Sequence, residues 1–152
     1  LASDKANSES VVKHAIDYLE KQGEVFDIVI LLQPTSPLRD YRDINNAFEK
    51  MIASNASASI SVVVSDNKIL KAFKKNSNGF LSAISNDKYS FMRRQDLPLV
   101  YMPNGAIYII NIESFREDNS LLTDKTVNYV MPKNKSMDID NISDIEDAIN
   151  II

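Results

Sequence analysis

The segment Leu31-Leu32-Gln33-Pro34-Thr35-Ser36-Pro37-Leu38-Arg39 places an amide, two hydroxyls and a guanidinium in a loop that contains two prolines. Proline fixes φ, so Gln33, Thr35, Ser36 and Arg39 can be held in place before a ligand arrives, which lowers the ordering cost of binding. A second constellation is Asp138-Ile139-Asp140. In extended backbone the alternation puts both carboxylates on one side, the arrangement that holds a hard divalent cation against phosphate oxygens. Helix-capping charge or an exposed acidic turn accounts for the same pair. An EF-hand starting at Asp138 does not, because Ile142 stands where a polar ligand is required and Ser143 where a glycine is required. The third is Tyr101-Met102-Pro103-Asn104-Gly105-Ala106-Ile107-Tyr108, in which Asn104-Gly105 reads as a turn before a β-forming run. Lys71 and Arg94 are the cations best placed to meet a carboxylate, although a solvated face is the ordinary fate of a single basic residue.

The elements that must position these residues follow from periodicity. Val11, Val12, Ala15, Ile16 and Leu19 recur at helical spacing after Ser8 and Ser10, both good N-caps, and Gly23 supplies a stop. His14 falls just off that stripe and reads as a solvent-edge histidine. The run Phe26–Leu32 is apolar on both parities, the pattern of a strand covered on both faces, and ligands bind at the carboxyl ends of such strands. Ile44, Ala47, Phe48, Met51 and Ile52 mark a second helix opened by Asp40 or Asp43, and Ser59–Val64 a second strand. Helix, strand, helix, strand predicts an α/β domain with a mostly parallel sheet and right-handed crossovers.

From 65 to 99 the rhythm breaks. Lys71, Lys74, Lys75, Arg93 and Arg94 are interleaved with Phe73, Phe80, Tyr89 and Phe91 around Asn78-Gly79, the pattern of an inserted hairpin arm. Such an arm cannot bury its aromatics alone, so pairing with a second subunit is expected. Further strands are predicted at Ala106–Ile110 and Val127–Met131. A last helix is predicted from Ser143, with Ser143 and Glu146 as its capping box and Ile145, Ala148, Ile149 and Ile152 inward.

Composition removes several chemistries. The chain has 152 residues, 44% hydrophobic and 25% charged, enough for one sizeable core, and a net charge of −4 gives no field to gather nucleic acid or an anionic membrane. There is no Cys, so disulfides, thiolate nucleophiles and Cys-based zinc sites are absent, as suits a reducing cytoplasm. A single histidine forbids an HExxH site, and the 3 glycines are too dispersed for a GxGxxG turn or a P-loop. The longest purely apolar run, Ile28–Leu32, is far too short to span a bilayer.

Four segments together resemble the bacterial CMP-sialic acid synthetases, or acylneuraminate cytidylyltransferases: Leu1-Ala2-Ser3-Asp4 with Ser8, LLQPTSPLR over Leu31–Arg39, PNGAIYI over Pro103–Ile109, and MDID over Met137–Asp140. They occur in the family's order and at about its spacing along the whole chain. The resemblance implies a three-layer, Rossmann-like fold of the nucleotide-diphospho-sugar transferase type. It implies transfer of CMP from CTP to the anomeric hydroxyl of a nine-carbon acidic sugar, with release of pyrophosphate. It also implies that Asp138 and Asp140 hold Mg²⁺ at the catalytic centre, that Gln33 and Asn104 contact the sugar, that Ser8 lines the nucleotide pocket, and that Arg94 and Lys71 meet the sugar carboxylate. A cytoplasmic homodimer paired through residues 65–99 is expected.

Departures from the family pattern matter too. The family opens with a basic, glycine-containing loop of the type PARGGSKG that wraps the triphosphate, and no such segment occurs in residues 1–152. The chain is accordingly expected to be the C-terminal part of one cytidylyltransferase domain and inactive alone. Met102 stands where many members carry a basic residue and Leu121-Leu122 where some carry aromatics, which leaves neuraminic, legionaminic and pseudaminic acids all open. The competing readings are another sugar nucleotidyltransferase, such as one using the eight-carbon acid of lipopolysaccharide, and a non-catalytic, transferase-like module that dimerises.

Overall fold

A computed structural model describes residues 7–139 and 141–150. Asp140, Ile152 and the Leu1–Asp4 segment, all singled out above, lie outside the described residues. The chain forms two compact units, one built from residues through Val63 and from Pro103 onward, the other from Val64–Met102.

In the first unit, α1 (Ser8–Lys21) is capped not by Ser8 or Ser10 but by Asn7, whose Oδ1 accepts from the Ser10 amide. An asparagine at this position satisfies an amide that the first helical turn leaves unbonded. Val12 and Ile16 are buried, while His14 is exposed and stacks on Tyr18. Strand β1 (Ile28–Leu31) leads through the proline loop to α2 (Tyr41–Ala53), which Asp40 and Asp43 open with a reciprocal capping box. Next come β2 (Ala58–Ser65) and, after the second unit, β5 (Val100–Asn111). A short helix, α3 (Ile112–Asp118), follows without a periodic signal because it spans only two turns; Asn111 caps it. The last elements are β6 (Thr126–Val130) and α4 (Ile142–Ile149). The cap of α4 is Asn141 with Asp144 as partner, not Ser143 with Glu146, and only Ala148 of the expected inward residues is buried; Ile145 and Ile149 are exposed.

The strand order is β1-β5-β2-β6. Strand β6 runs parallel to β2, whereas β5 runs antiparallel to β1, pairing Ile28 with Asn111 and Leu31 with Tyr108. On its other side the Asn111 N–H donates to the Ser57 carbonyl (2.9 Å) and the Ile107 N–H to Ser61 Oγ (2.7 Å), so β5 descends as β2 ascends. The sheet is therefore mixed rather than mostly parallel. Strands β1, β2 and β6 point one way, and β5, which no crossover helix precedes, enters reversed between β1 and β2.

Two cores flank the sheet. Val12, Ile16, Ile110, Phe115 and Leu121 pack on one face with Val29 and Leu31, and Ala47, Met51, Ile107, Ile109 and Met131 on the other with Ile28 and Ile44. The layers are helix, sheet, helix, as predicted. The expectation that β1 is covered on both faces does not hold: Ile30 is 41% exposed, because among the described residues β1 has only β5 beside it and α2 packs farther along. No helix among the described residues is long and apolar enough to cross a membrane.

The second unit carries the hairpin β3 (Phe73–Lys75) and β4 (Leu81–Ala83), which pair antiparallel. Asn76 Oδ1 closes the turn by accepting from the amides of Asn78 and Phe80, with Gly79 at φ +84°. Phe73 and Phe91 meet at a ring distance of 6.4 Å, and much apolar surface stays open: Phe80 71%, Leu81 68% and Phe91 86% exposed.

Candidate active site

Three chain segments converge on Asn104. The first is the proline loop after β1. Ser36 is buried and its hydroxyl donates to the Asn104 carbonyl (3.3 Å). Arg39 donates to the carbonyls of Gln33 (3.1 Å) and Ala106 (2.7 Å), so its guanidinium holds backbone in place. These contacts, not the prolines alone, preorganise the loop.

The second segment is Asn104-Gly105, which lies inside strand β5 and not in the turn expected before it. Asn104 is 6% exposed and its side chain is fully used: Ser61 Oγ donates to Oδ1 (2.6 Å), and Nδ2 donates to Ser136 Oγ (2.9 Å) and contacts Met131 Sδ (3.3 Å). Ser61 stands in for the strand partner that the Ile107 amide would otherwise lack. Gly105 has φ +74°, and a Cβ there would lie 2.5 Å from Gln33 Oε1 and 3.4 Å from Ser36 Oγ. Only glycine accommodates both the left-handed backbone and the close approach of the Gln33 amide.

The third segment is the stretch from Met131 to Ile139 after β6. Ser136 Oγ donates to the Pro132 carbonyl, and the Ile139 amide donates to the Thr35 carbonyl (2.9 Å), which draws Asp138 to the proline loop. Asp138 is exposed, and among the described residues it makes no ion pair. The phenol of Tyr108 is pushed above its ordinary pKa, first by burial and then by the negative charges of Asp138 and Glu9. Glu9 follows Ser8 in the first turn of α1, so the helix start, Tyr108 and Asp138 share one electrostatic neighbourhood.

The structure therefore brings Gln33, Asn104 and Asp138 together, with Ser8 next to a residue whose charge reaches the same tyrosine. Lys71 and Arg94 lie in the Val64–Met102 unit. Lys71 Nζ donates to the Met92 carbonyl (2.7 Å), and Arg94 lines an open cleft of about 440 Å³ with Ser65, Asp66, Asn67, Gln95 and Leu99, pairing with Asp66 at 3.5 Å. Ser61 and Ser136 belong to the site but were not singled out as candidates. The signal for Ser61 was available, since a serine on a buried face of a β-branched strand needs a polar partner; Ser136 has no such mark. As a cation site, Asp138 offers a solvent-facing carboxylate free of competing ion pairs, which fits a hard divalent ion, while no three acidic or histidine side chains gather among the described residues.

No family model matches the chain. It is 30% identical over 148 residues to the pseudaminic acid cytidylyltransferase of Campylobacter jejuni serotype O:2, covering 97% of this chain and 63% of that protein. It is 33% identical over 152 residues to the N-acylneuraminate cytidylyltransferase of Streptococcus agalactiae serotype III, covering 95% of this chain and 34% of the relative. It is 30% identical over 151 residues to the N-acylneuraminate cytidylyltransferase of Escherichia coli, covering 99% of this chain and 35% of the relative. The chain thus spans between about a third and five-eighths of the length of these curated relatives. The similarity to these curated cytidylyltransferases extends along nearly the whole of this chain, the loops that converge on Asn104 included.

Proposed function

We propose that this chain forms part of a cytidylyltransferase that moves CMP from CTP to the anomeric hydroxyl of a nine-carbon acidic sugar. The observation that carries this reading is the convergence of Gln33, Asn104-Gly105 and Asp138 beyond the carboxyl ends of β1 and β6, where α/β sheets bind their ligands. The hydroxyl oxygen bonds to the α-phosphorus, the bond to the β-phosphate oxygen breaks, pyrophosphate leaves and the hydroxyl proton is lost. Gln33 and Asn104 are assigned to the sugar: the Gln33 amide is seated against the glycine, and the Asn104 amide, held by three side-chain partners, would reach the sugar by giving up one of them. Ser8 lies on the nucleotide side.

Asp138, with Asp140, would hold Mg²⁺; when bound, the ion offsets the charge of the triphosphate and of the departing pyrophosphate. Lys71 and Arg94 are assigned to the sugar carboxylate. The fold is read as the nucleotide-diphospho-sugar transferase variant of the Rossmann-like class, and Val64–Met102 as an arm that pairs two copies of a cytoplasmic homodimer. The exposed Phe80, Leu81 and Phe91 support that pairing, since a surface of this kind is stable when a partner covers it.

The test is pyrophosphate release by the full-length protein of which this chain forms part, supplied with CTP, Mg²⁺ and a panel of N-acetylneuraminic, legionaminic, pseudaminic and eight-carbon acids. Release with at least one nine-carbon acid is expected. Release with the eight-carbon acid alone, or with none of the panel, contradicts the proposal.

A further inference from the structure

One ion-pair cluster lies outside the residues given roles above. Lys135 Nζ donates to Asp40 Oδ2 (2.8 Å) and to Asp43 Oδ2 (2.9 Å), and Tyr129 donates to Asp43 Oδ1 (3.2 Å). Asp40 and Asp43 are the capping box of α2, and Asp43 Oδ2 also accepts the Asp40 amide (3.0 Å). Asp43 is only 4% exposed, so its charge is not left to water. The cluster joins segments more than 90 residues apart in the chain, with |i−j| of 95 and 92 for the two contacts.

Its position is what gives it meaning. Asp40 directly follows Arg39, the end of the proline loop, and Lys135 directly precedes Ser136, with Asp138 three residues on. The two loops are therefore tied directly by Lys135 to Asp40 and Asp43, indirectly through Asn104, which bonds Ser136 and Ser36, and directly again by Ile139 to Thr35. Asp138 lies between the last two, and among the described residues its side chain makes no hydrogen bond or ion pair, so its placement depends on the ties around it.

Other ion pairs of the first unit differ. Lys13 with Asp17, and Arg116 with Asp17 and Glu20, join carboxylates that water still reaches, and such pairs contribute little. Lys135 instead neutralises a buried carboxylate, and removing it would leave that charge uncompensated.

We propose that Lys135 is a positioning residue of the site: by bridging Asp40 and Asp43 it fastens the Met131–Ile139 stretch to the start of α2 and so sets where Asp138 stands relative to Gln33 and Asn104. Its bearing on the reaction rests on the cytidylyltransferase reading, whereas its bearing on the loop does not.

The experiment separates the two. Hydrogen exchange at the Ile139 amide is followed in the wild-type full-length protein and in its Lys135→Ala, Lys135→Arg, Asp40→Asn and Arg116→Ala variants, alongside the concentration of Mn²⁺ that gives half-maximal pyrophosphate release. Lys135→Ala should speed exchange at Ile139 about tenfold while β2 amides keep their rates, and raise the half-maximal Mn²⁺ concentration by a similar factor. Asp40→Asn should do part of this, Lys135→Arg should restore most of it, and Arg116→Ala should leave Ile139 unchanged. Unaltered exchange at Ile139 in Lys135→Ala, or uniform acceleration across the sheet in both Lys135→Ala and Asp40→Asn, overturns the inference. Wild-type full-length protein that releases no pyrophosphate with any acid removes the cytidylyltransferase reading, and the exchange result still decides the loop.

Discussion

At Asn104 a single buried side chain has bonds to Ser61, Ser136 and Met131, and its own carbonyl takes the Ser36 hydroxyl. In the Val64–Met102 unit, by contrast, Phe91 is 86% exposed, Leu99 68%, and many polar contacts run from one backbone turn to the next, as at Asn76. The first region satisfies its polar groups internally before any ligand arrives, the signature of a preorganised site. The second keeps a large part of its apolar surface in water, the signature of a surface awaiting cover. Substitutions should accordingly be felt in different observables: stability and substrate handling at Asn104, association in the arm.

The largest effect should come from Asn104→Ala. It leaves the buried Ser61 hydroxyl without its amide acceptor, which costs roughly 1–3 kcal/mol for such a group. Urea denaturation should show that loss, with a fall in CMP transfer of tenfold or more. Gly105→Ala comes next. The left-handed backbone costs an L-residue about 1–2 kcal/mol, and the new methyl would displace the Gln33 amide from a distance of 2.5 Å. Its kinetic mark should be a raised KM for the sugar with that for CTP much less changed.

Acid should act on the same region. Hydrogen bonding to Lys135, then the Asp43 amide, holds the Asp40 carboxyl at about 2, below its ordinary 3.8. Because the folded value lies below the unfolded one, the stabilisation is complete above about pH 4 and is lost as the pH falls toward 2. Denaturation midpoints measured between those values should fall with pH, and Lys135→Ala should flatten the dependence. The smallest effect on stability should be that of Phe91→Ser, within about 0.5 kcal/mol for so exposed a position. Sedimentation should nevertheless show fewer dimers; an unchanged dimer fraction together with a large loss of stability would erase the contrast between the two regions.

How much of this could be read in the residues depended on what signal each feature leaves. The helix-sheet-helix layering was legible because Val12 and Ile16, or Ala47 and Met51, recur at helical spacing regardless of what surrounds them. The reversal of β5 was not, because strand direction is set by which neighbour a strand meets after a long excursion, and Ala106–Ile110 looks the same in either sense. The proline loop and Asn104-Gly105 stood out by composition, and MDID by alternation. Lys135 did not: in Lys133-Asn134-Lys135 it is one cation among several, and only folding reveals that it faces the buried Asp43. The Ser143 cap failed for a similar reason, since Asn141 offers the same chemistry two residues earlier.

The most direct test of the central claim follows the side-chain amide signals of Gln33 and Asn104 by NMR while the full-length protein, loaded with CTP and Mg²⁺, is titrated with a nine-carbon acidic sugar. Both NH₂ pairs should shift saturably with a single common Kd, and Gly105→Ala should weaken that Kd. Signals from both side chains that stay fixed while pyrophosphate is being released would place the sugar elsewhere and contradict the account.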